Sequence, residues 1–338
     1  MSGVKMSIKK TVLSVLAVLA TVAVIASFFV YSQKKKEFDS YTKNAVSMDT
    51  VVSVKTYGEN TASLCQTSVD IIQQLDNTIS RFEEGSLVYK LNESNSLVSN
   101  DISNLLSLCN KVSLESGGAF DVTVGALSDL WDIGGENEKI PTENEIKKAL
   151  ETVGYGKLTV TKGAVSSKKG QIVDLGAVGK GFACDMVYQY LSESDIKGAA
   201  VSVGGSILVY GKRNAAGDKW RVAVKHPRQE NAFLGTILLS EGFVSTSGDY
   251  ERYFEKDGKR YHHILDATTG CPSESDLISV TVICNNGVLS DALSTACFIL
   301  GKERAEALLS EFSEYEAKAI FVDKNENVSL YGDVEIVM

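Results

Sequence analysis

Val-Asp-Leu-Gly-Ala-Val-Gly-Lys-Gly-Phe-Ala-Cys-Asp, residues 173–185, reads as the end of a buried strand, a tight turn and the start of a helix. Ile172 and Val173 lead into Asp174, so a carboxylate stands where an apolar strand ends. Gly176, Gly179 and Gly181 allow the backbone to approach a neighbour or ligand closely, and Lys180 lies among them. Free amides and a cation at a helix N-terminus suit a phosphate. Neither Gly-x-Gly-x-x-Gly nor Gly-x4-Gly-Lys-Ser/Thr can be written on these residues, however. A phosphate-binding turn and a plain strand–helix joint with a satisfied Asp both remain open at this point.

Outward from this stretch, helix and strand periods mix without strict βαβ alternation. Val51, Val52, Val54 and Tyr57 predict a strand ending at Gly58, and Leu64, Val69, Ile72, Leu75, Ile79 and Phe82 recur at helical spacing. Residues 85–92 read as a loop carrying Tyr89, and 101–114 as an amphipathic helix that stops at Ser116-Gly117-Gly118. On the C-terminal side, residues 182–191 continue as helix, and 199–210 form two strands about Gly204-Gly205. Further strands are expected at 220–224, 233–239, 277–284, 319–322 and 328–331, with helices at 287–300 and 302–312. The fold class implied is α+β, in a single domain over residues 48–338.

The chain has 338 residues, 44% hydrophobic and 23% charged, an ordinary globular composition. A net charge of -9 and the lack of any basic stripe argue against nucleic acid as a partner. Residues 11–31 form an uncharged run rich in Val, Leu and Ala, flanked by Lys9, Lys10, Lys34 and Lys35. That length suits a transmembrane or signal-anchor helix after a short cytoplasmic N-terminus at 1–10, with the polar residues 32–47 as a stalk. The six cysteines are far apart, with no Cys-x-x-Cys, and most lie in apolar runs; they are expected to be buried thiols.

Two patterns in the C-terminal half carry chemistry. His262 and His263 are adjacent, and neighbouring strand residues point to opposite faces, so only one is expected to face a site. Asp291 and Thr295 are four apart on a helix and share one face. Two oxygens so placed suit a hard cation such as Mg2+, or equally a local hydrogen bond.

Met48-Asp49-Thr50, residues 116–123 (Ser-Gly-Gly-Ala-Phe-Asp-Val-Thr), 174–181, Ser247-Gly248-Asp249-Tyr250, His263-Ile264-Leu265-Asp266 with Thr269-Gly270, and residues 291–295 (Asp-Ala-Leu-Ser-Thr) together resemble the ApbE family of flavin transferases, in order and spacing, from Met48 to about the end of the chain. The resemblance implies an ApbE-type, T-fold-like domain. It further implies Mg2+-dependent transfer of FMN from FAD to a Thr or Ser hydroxyl of an acceptor protein, with AMP released. On the matching positions it implies cation ligands at the Ala177 carbonyl, Asp291 and Thr295. It implies FAD contacts at Met48, Tyr89, Ala119, Phe120, Asp121, Lys180 and Ile264, and a general base at His263. Asp49 where the family has Gly, Ala126 where it often has Pro, and Ala267 within the usual Asp-Pro-x-Thr-Gly are departures.

The acceptor is expected to be a separate membrane or extracytoplasmic redox protein, with the catalytic domain outside the cell membrane. Two rival functions share the same residues. One is an FAD pyrophosphatase giving FMN and AMP, and the other a membrane-tethered module that only binds flavin.

Overall fold

Residues 37–337 are described by the computed structural model. The alternation expected around Val52 becomes strand β2, Thr50–Tyr57, with Val52, Val54 and Thr56 buried and Val51 exposed. Strand β1, Ser40–Ser47, pairs antiparallel with it along its whole length, from Ser40 opposite Tyr57 to Ser47 opposite Thr50. Much of the expected stalk is therefore an edge strand. Its polar composition reflects a wet outer face, on which Thr42, Asn44 and Val46 are exposed. Met48 and Asp49 join the two strands with φ of 53° and 54°, the left-handed pair of a type I′ turn, which Asp tolerates in place of glycine.

Six more strands complete the sheet: β3 Gly198–Val203, β4 Ser206–Gly211, β5 Gly242–Gly248, β6 Leu277–Cys284, β7 Lys318–Asp323 and β8 Val328–Tyr331. Their spatial order is their chain order and every neighbouring pair is antiparallel. All functional segments are thus insertions between consecutive strands of one meander.

The two faces of the sheet take different partners because successive side chains alternate. On one face Val54, Leu208, Phe243, Val282 and Phe321 meet α1 (Thr61–Ile79), α2 (Asn100–Glu115), α3 (Gly179–Ser192) and α4 (Gly287–Leu300) in the main core. On the other, Val209, Val244, Ile283 and Ile320 pack on Trp220, Val222 and Ile237 of a three-stranded sheet made by Trp220–Lys225, Phe233–Leu239 and Ile336–Val337. Helix α4 is apolar nearly all round and is buried along most of its length. The α+β class expected from the sequence is what forms.

A third apolar cluster positions the histidine loop. Leu127 and Trp131 of the helix Gly125–Trp131 pack on Leu265 and Ala267, and Trp131 Nε1 donates to the Gly270 carbonyl at 2.8 Å. Tyr261 stacks on both Trp131 (5.9 Å) and Phe254 (5.1 Å), which ties the hairpin Tyr253–Lys256/Lys259–His262 to that helix.

All six cysteines are free, and only Cys271 is other than buried. The expected span at 11–31 lies outside the described residues, among which no helix is long and apolar enough to cross a membrane.

Candidate functional site

Residues 173–185 form the centre of the site. The Asn92 side chain bonds both the N–H and the C=O of Val173 (2.8 and 3.0 Å), and Asp174 N–H donates to the Val122 carbonyl, fixing the end of the extended segment. Asp174 Oδ1 accepts from Gly176 N–H at 2.8 Å, turning the chain, while its Oδ2 accepts from Arg81 Nε at 3.0 Å. Arg81 also reaches Asp129 at 2.6 Å. Asp174 is therefore an orienting group, held by a cation 93 residues away in the chain.

Helix α3 begins at Gly179 with no side-chain cap. Its Gly181 N–H, a first-turn amide without an acceptor in its own helix, donates to Asp291 Oδ2 of α4 at 2.6 Å. This contact needs the two helices almost touching. A Cβ on Gly181 would fall 2.1 Å from the Gly287 oxygen, and one on Gly287 would fall 2.2 Å from the Gly181 oxygen. Asp185, one turn along α3, accepts from Gly287 N–H (2.7 Å) and Val288 N–H (2.8 Å), and so caps α4 from the neighbouring helix. Burial lifts the Asp185 carboxyl to about 6, against the pull of those two amides.

Asp291 is buried, and its Oδ1 accepts from Ser206 Oγ at 2.6 Å. Burial pushes its carboxyl above the usual range, opposed by Lys180 and by the Ser206 and Gly181 donors. Among the described residues no ion pair reaches it, so this carboxylate has neutral donors, with Lys180 and the Asp185 carboxyl as nearby charged groups. Thr295 lies one turn on, half-buried, with Oγ1 3.2 Å from Ser247 Oγ.

Lys180 also acts on His263. His263 Nδ1 lies 3.3 Å from the Arg252 carbonyl, and since a carbonyl only accepts, that contact assigns the proton to Nδ1 and the lone pair to Nε2. One edge of the ring is open to solvent. The surrounding protein still desolvates it, and with His262, Arg252 and Lys180 lowers its pKa to about 4 against the Arg252 carbonyl bond. His262 points the other way, buried edge-on to Phe298 with Nε2 at 3.0 Å from the Ser273 carbonyl. Of the pair, His262 is buried and His263 is exposed, just past the end of the strand.

The remaining expected contact residues are placed as follows. Met48 lies beside Gly179, its Cε 3.3 Å from where a Cβ there would stand, and its N–H donates to Asp76. Tyr89, expected in a loop, is in the first turn of the helix Leu87–Ser94, where Ser86 caps its N–H at 2.9 Å. Ala119, Phe120 and Ile264 are buried. Asp121 is also buried and bonds Thr123 N–H, Thr123 Oγ1 and Tyr155 N–H at 2.6–2.8 Å, so its side chain organises the loop. The structure therefore gathers Ala177, Lys180, Asp291, Thr295, His263 and Met48 about the α3 N-terminus, while Ala119, Phe120 and Ile264 are part of the main core.

No group of three or more His, Cys, Asp or Glu side chains able to hold a metal occurs among the described residues. The Asp291 carboxylate and the Thr295 hydroxyl are themselves hard oxygen ligands, and a buried carboxylate without an ion pair fits a hard cation. Two surface depressions, one lined by Ser313, Lys318 and Tyr331 and one by Ser116, Arg304 and Glu311, share no residue with this site.

An antiparallel α+β domain that sets a lysine, a neutral histidine and a buried carboxylate around a glycine-rich helix start defines a class of enzymes that handle phosphorylated ligands. The ApbE family model matches residues 48–321, and the chain belongs to that family. It is 32% identical over 315 residues to the FAD:protein FMN transferase of Treponema pallidum, covering 86% of each chain. With the FAD:protein FMN transferase of Escherichia coli K12 it shares 34% over 256 residues, 72% of each. Among solved structures, the ApbE protein of Thermotoga maritima superposes with a TM-score of 0.78 at 31% identity, over 86% of this chain and 96% of that one. The flavin transferase ApbE of Vibrio cholerae gives 0.76 at 26%, over 87% and 97%.

Proposed function

We propose that this chain is an FAD:protein FMN transferase that moves FMN from FAD onto a Thr or Ser hydroxyl of an acceptor protein. The observation that carries this reading is the family match across residues 48–321, combined with a neutral His263 whose Nε2 is free.

In this reading the acceptor oxygen attacks the phosphorus on the FMN side of the FAD pyrophosphate. The bond from that phosphorus to the bridging oxygen breaks, and the bridging oxygen leaves on AMP. His263 Nε2 takes the hydroxyl proton; the lowered pKa keeps the ring neutral, with the Nε2 lone pair available. Lys180 supplies positive charge beside the pyrophosphate, where a preorganised cation lowers the barrier. Asp291, Thr295 and the Ala177 carbonyl would hold Mg2+. When bound, the ion would neutralise pyrophosphate charge as a Lewis acid.

Incubation with FAD, Mg2+ and a candidate acceptor tests this. Acid-stable flavin on the acceptor is expected, and His263→Ala is expected to abolish it while leaving FAD binding near normal. Full transfer by His263→Ala removes the histidine from its role. Free FMN and AMP with no bound flavin would point to hydrolysis instead.

We also place the catalytic domain outside the cell membrane, with membrane redox proteins as acceptors. The support is the family membership together with the uncharged run at residues 11–31, long enough to anchor the chain in a bilayer. Protease digestion of intact cells tests it: the domain should be cut from outside, and full protection contradicts the placement.

A further inference from the structure

The hydroxyls between β5 and α4 have one direction of donation. Ser247 Oγ lies 2.8 Å from Ser294 Oγ and 3.2 Å from Thr295 Oγ1, and Ser294 Oγ lies 2.9 Å from the Asp291 carbonyl. Each hydroxyl has one proton, and a carbonyl oxygen has none. The Ser294 proton must therefore go to the Asp291 carbonyl. Ser294 can then only accept from Ser247, which spends the single Ser247 proton. Ser247 in turn can only accept from Thr295. Only this assignment makes all three contacts hydrogen bonds.

We propose that Ser247 is a positioning residue for the cation. By taking the Thr295 proton it leaves both lone pairs of Thr295 Oγ1 free to face a cation, and it bars the opposite orientation in which a proton would point at positive charge. The proposal rests on the Mg2+ reading above. It adds to it that the ligand quality of Thr295 is set from β5, through a relay that ends on the backbone of Asp291 itself. Partners of this kind, one bond removed from a metal, typically change affinity by about 10- to 100-fold when removed.

The test is Mn2+ titrated into the FAD-saturated protein, with free Mn2+ followed by electron paramagnetic resonance. Ser247→Ala is expected to weaken Mn2+ binding about tenfold with FAD affinity unchanged. Ser294→Ala, which leaves Ser247 in place but frees its proton, is expected to weaken it less. In a Thr295→Ala background, Ser247→Ala should have no further effect, because it acts through Thr295. Mn2+ affinity of Ser247→Ala within twofold of wild type overturns the proposal, as do additive effects in the double variant. A wild-type protein that takes up no Mn2+ overturns the Mg2+ reading along with it.

Discussion

Replacing Gly181 by Ala tests the helix crossing on which the site depends. The added Cβ would stand 2.1 Å from the Gly287 oxygen, 2.6 Å from the Gly287 carbonyl carbon and 3.0 Å from Asp291 Cγ. Ordinary van der Waals contact needs about 3.5 Å, so α3 and α4 must separate by roughly 1 Å or more. Backbone atoms have no rotamer to relieve the overlap, which puts the cost near the upper end of overpacking, about 3 kcal/mol. Separation also pulls the Gly181 amide from Asp291 and leaves a buried acceptor short of one donor, about 1 kcal/mol more. The helix propensity gained by Ala, about 1 kcal/mol, is too small to reverse the sign. The net loss of about 3 kcal/mol corresponds to a fall in Tm of roughly 6 °C, at about 2 °C per kcal/mol for a domain of this size. Thermal unfolding followed by circular dichroism, beside flavin transfer on the same sample, reads both effects. An Ala variant melting within about 2 °C of wild type with normal transfer would refute the account of the crossing.

Asp185→Ala removes the acceptors of the Gly287 and Val288 amides, leaving only the Asn286 cap on Leu289 N–H, and should cost about 1–2 kcal/mol in urea denaturation; an unchanged midpoint contradicts the role of Asp185. The pH profile of kcat/KM should report the free-protein His263. Because its pKa is lowered to about 4, the neutral base persists as pH falls and the acid limb should lie near pH 4, whereas a wild-type limb near 6.5 would contradict the lowered pKa.

The sheet was largely legible because its strands carry their own period. Leu277–Cys284 and Gly287–Leu300 form with the bounds read from the sequence, each being a largely apolar segment ended by polar or glycine residues. Ser40–Ser47 was not legible. An edge strand with one wet face and little apolar content has the composition of a linker, and its pairing with Thr50–Tyr57 supplies what its own residues lack. Tyr89 was misplaced for a similar reason: Leu87–Ser94 is a helix of only 8 residues, too short for its period to stand out, and Ser86 starts it by capping.

At the site, Asp291 and Thr295 were visible through helical spacing, but what surrounds them was not. Ser206, Asp185 and Arg81 meet their partners across 85, 102 and 93 residues, and no local pattern encodes such contacts. Ser245 and Ser247 on a strand opposite Ser290 and Ser294 on a helix did carry a signal, two matched spacings of small hydroxyls, which the fold turns into the relay.

The intact mass of an acceptor protein, a co-expressed redox protein with an accessible Thr or Ser, tests the central claim most directly. After incubation with this protein, FAD and Mg2+, the acceptor should gain the mass of one FMN as one AMP is released, and Asp291→Ala should abolish both. Consumption of FAD with the acceptor mass unchanged, or full transfer by the Asp291→Ala variant, would contradict it.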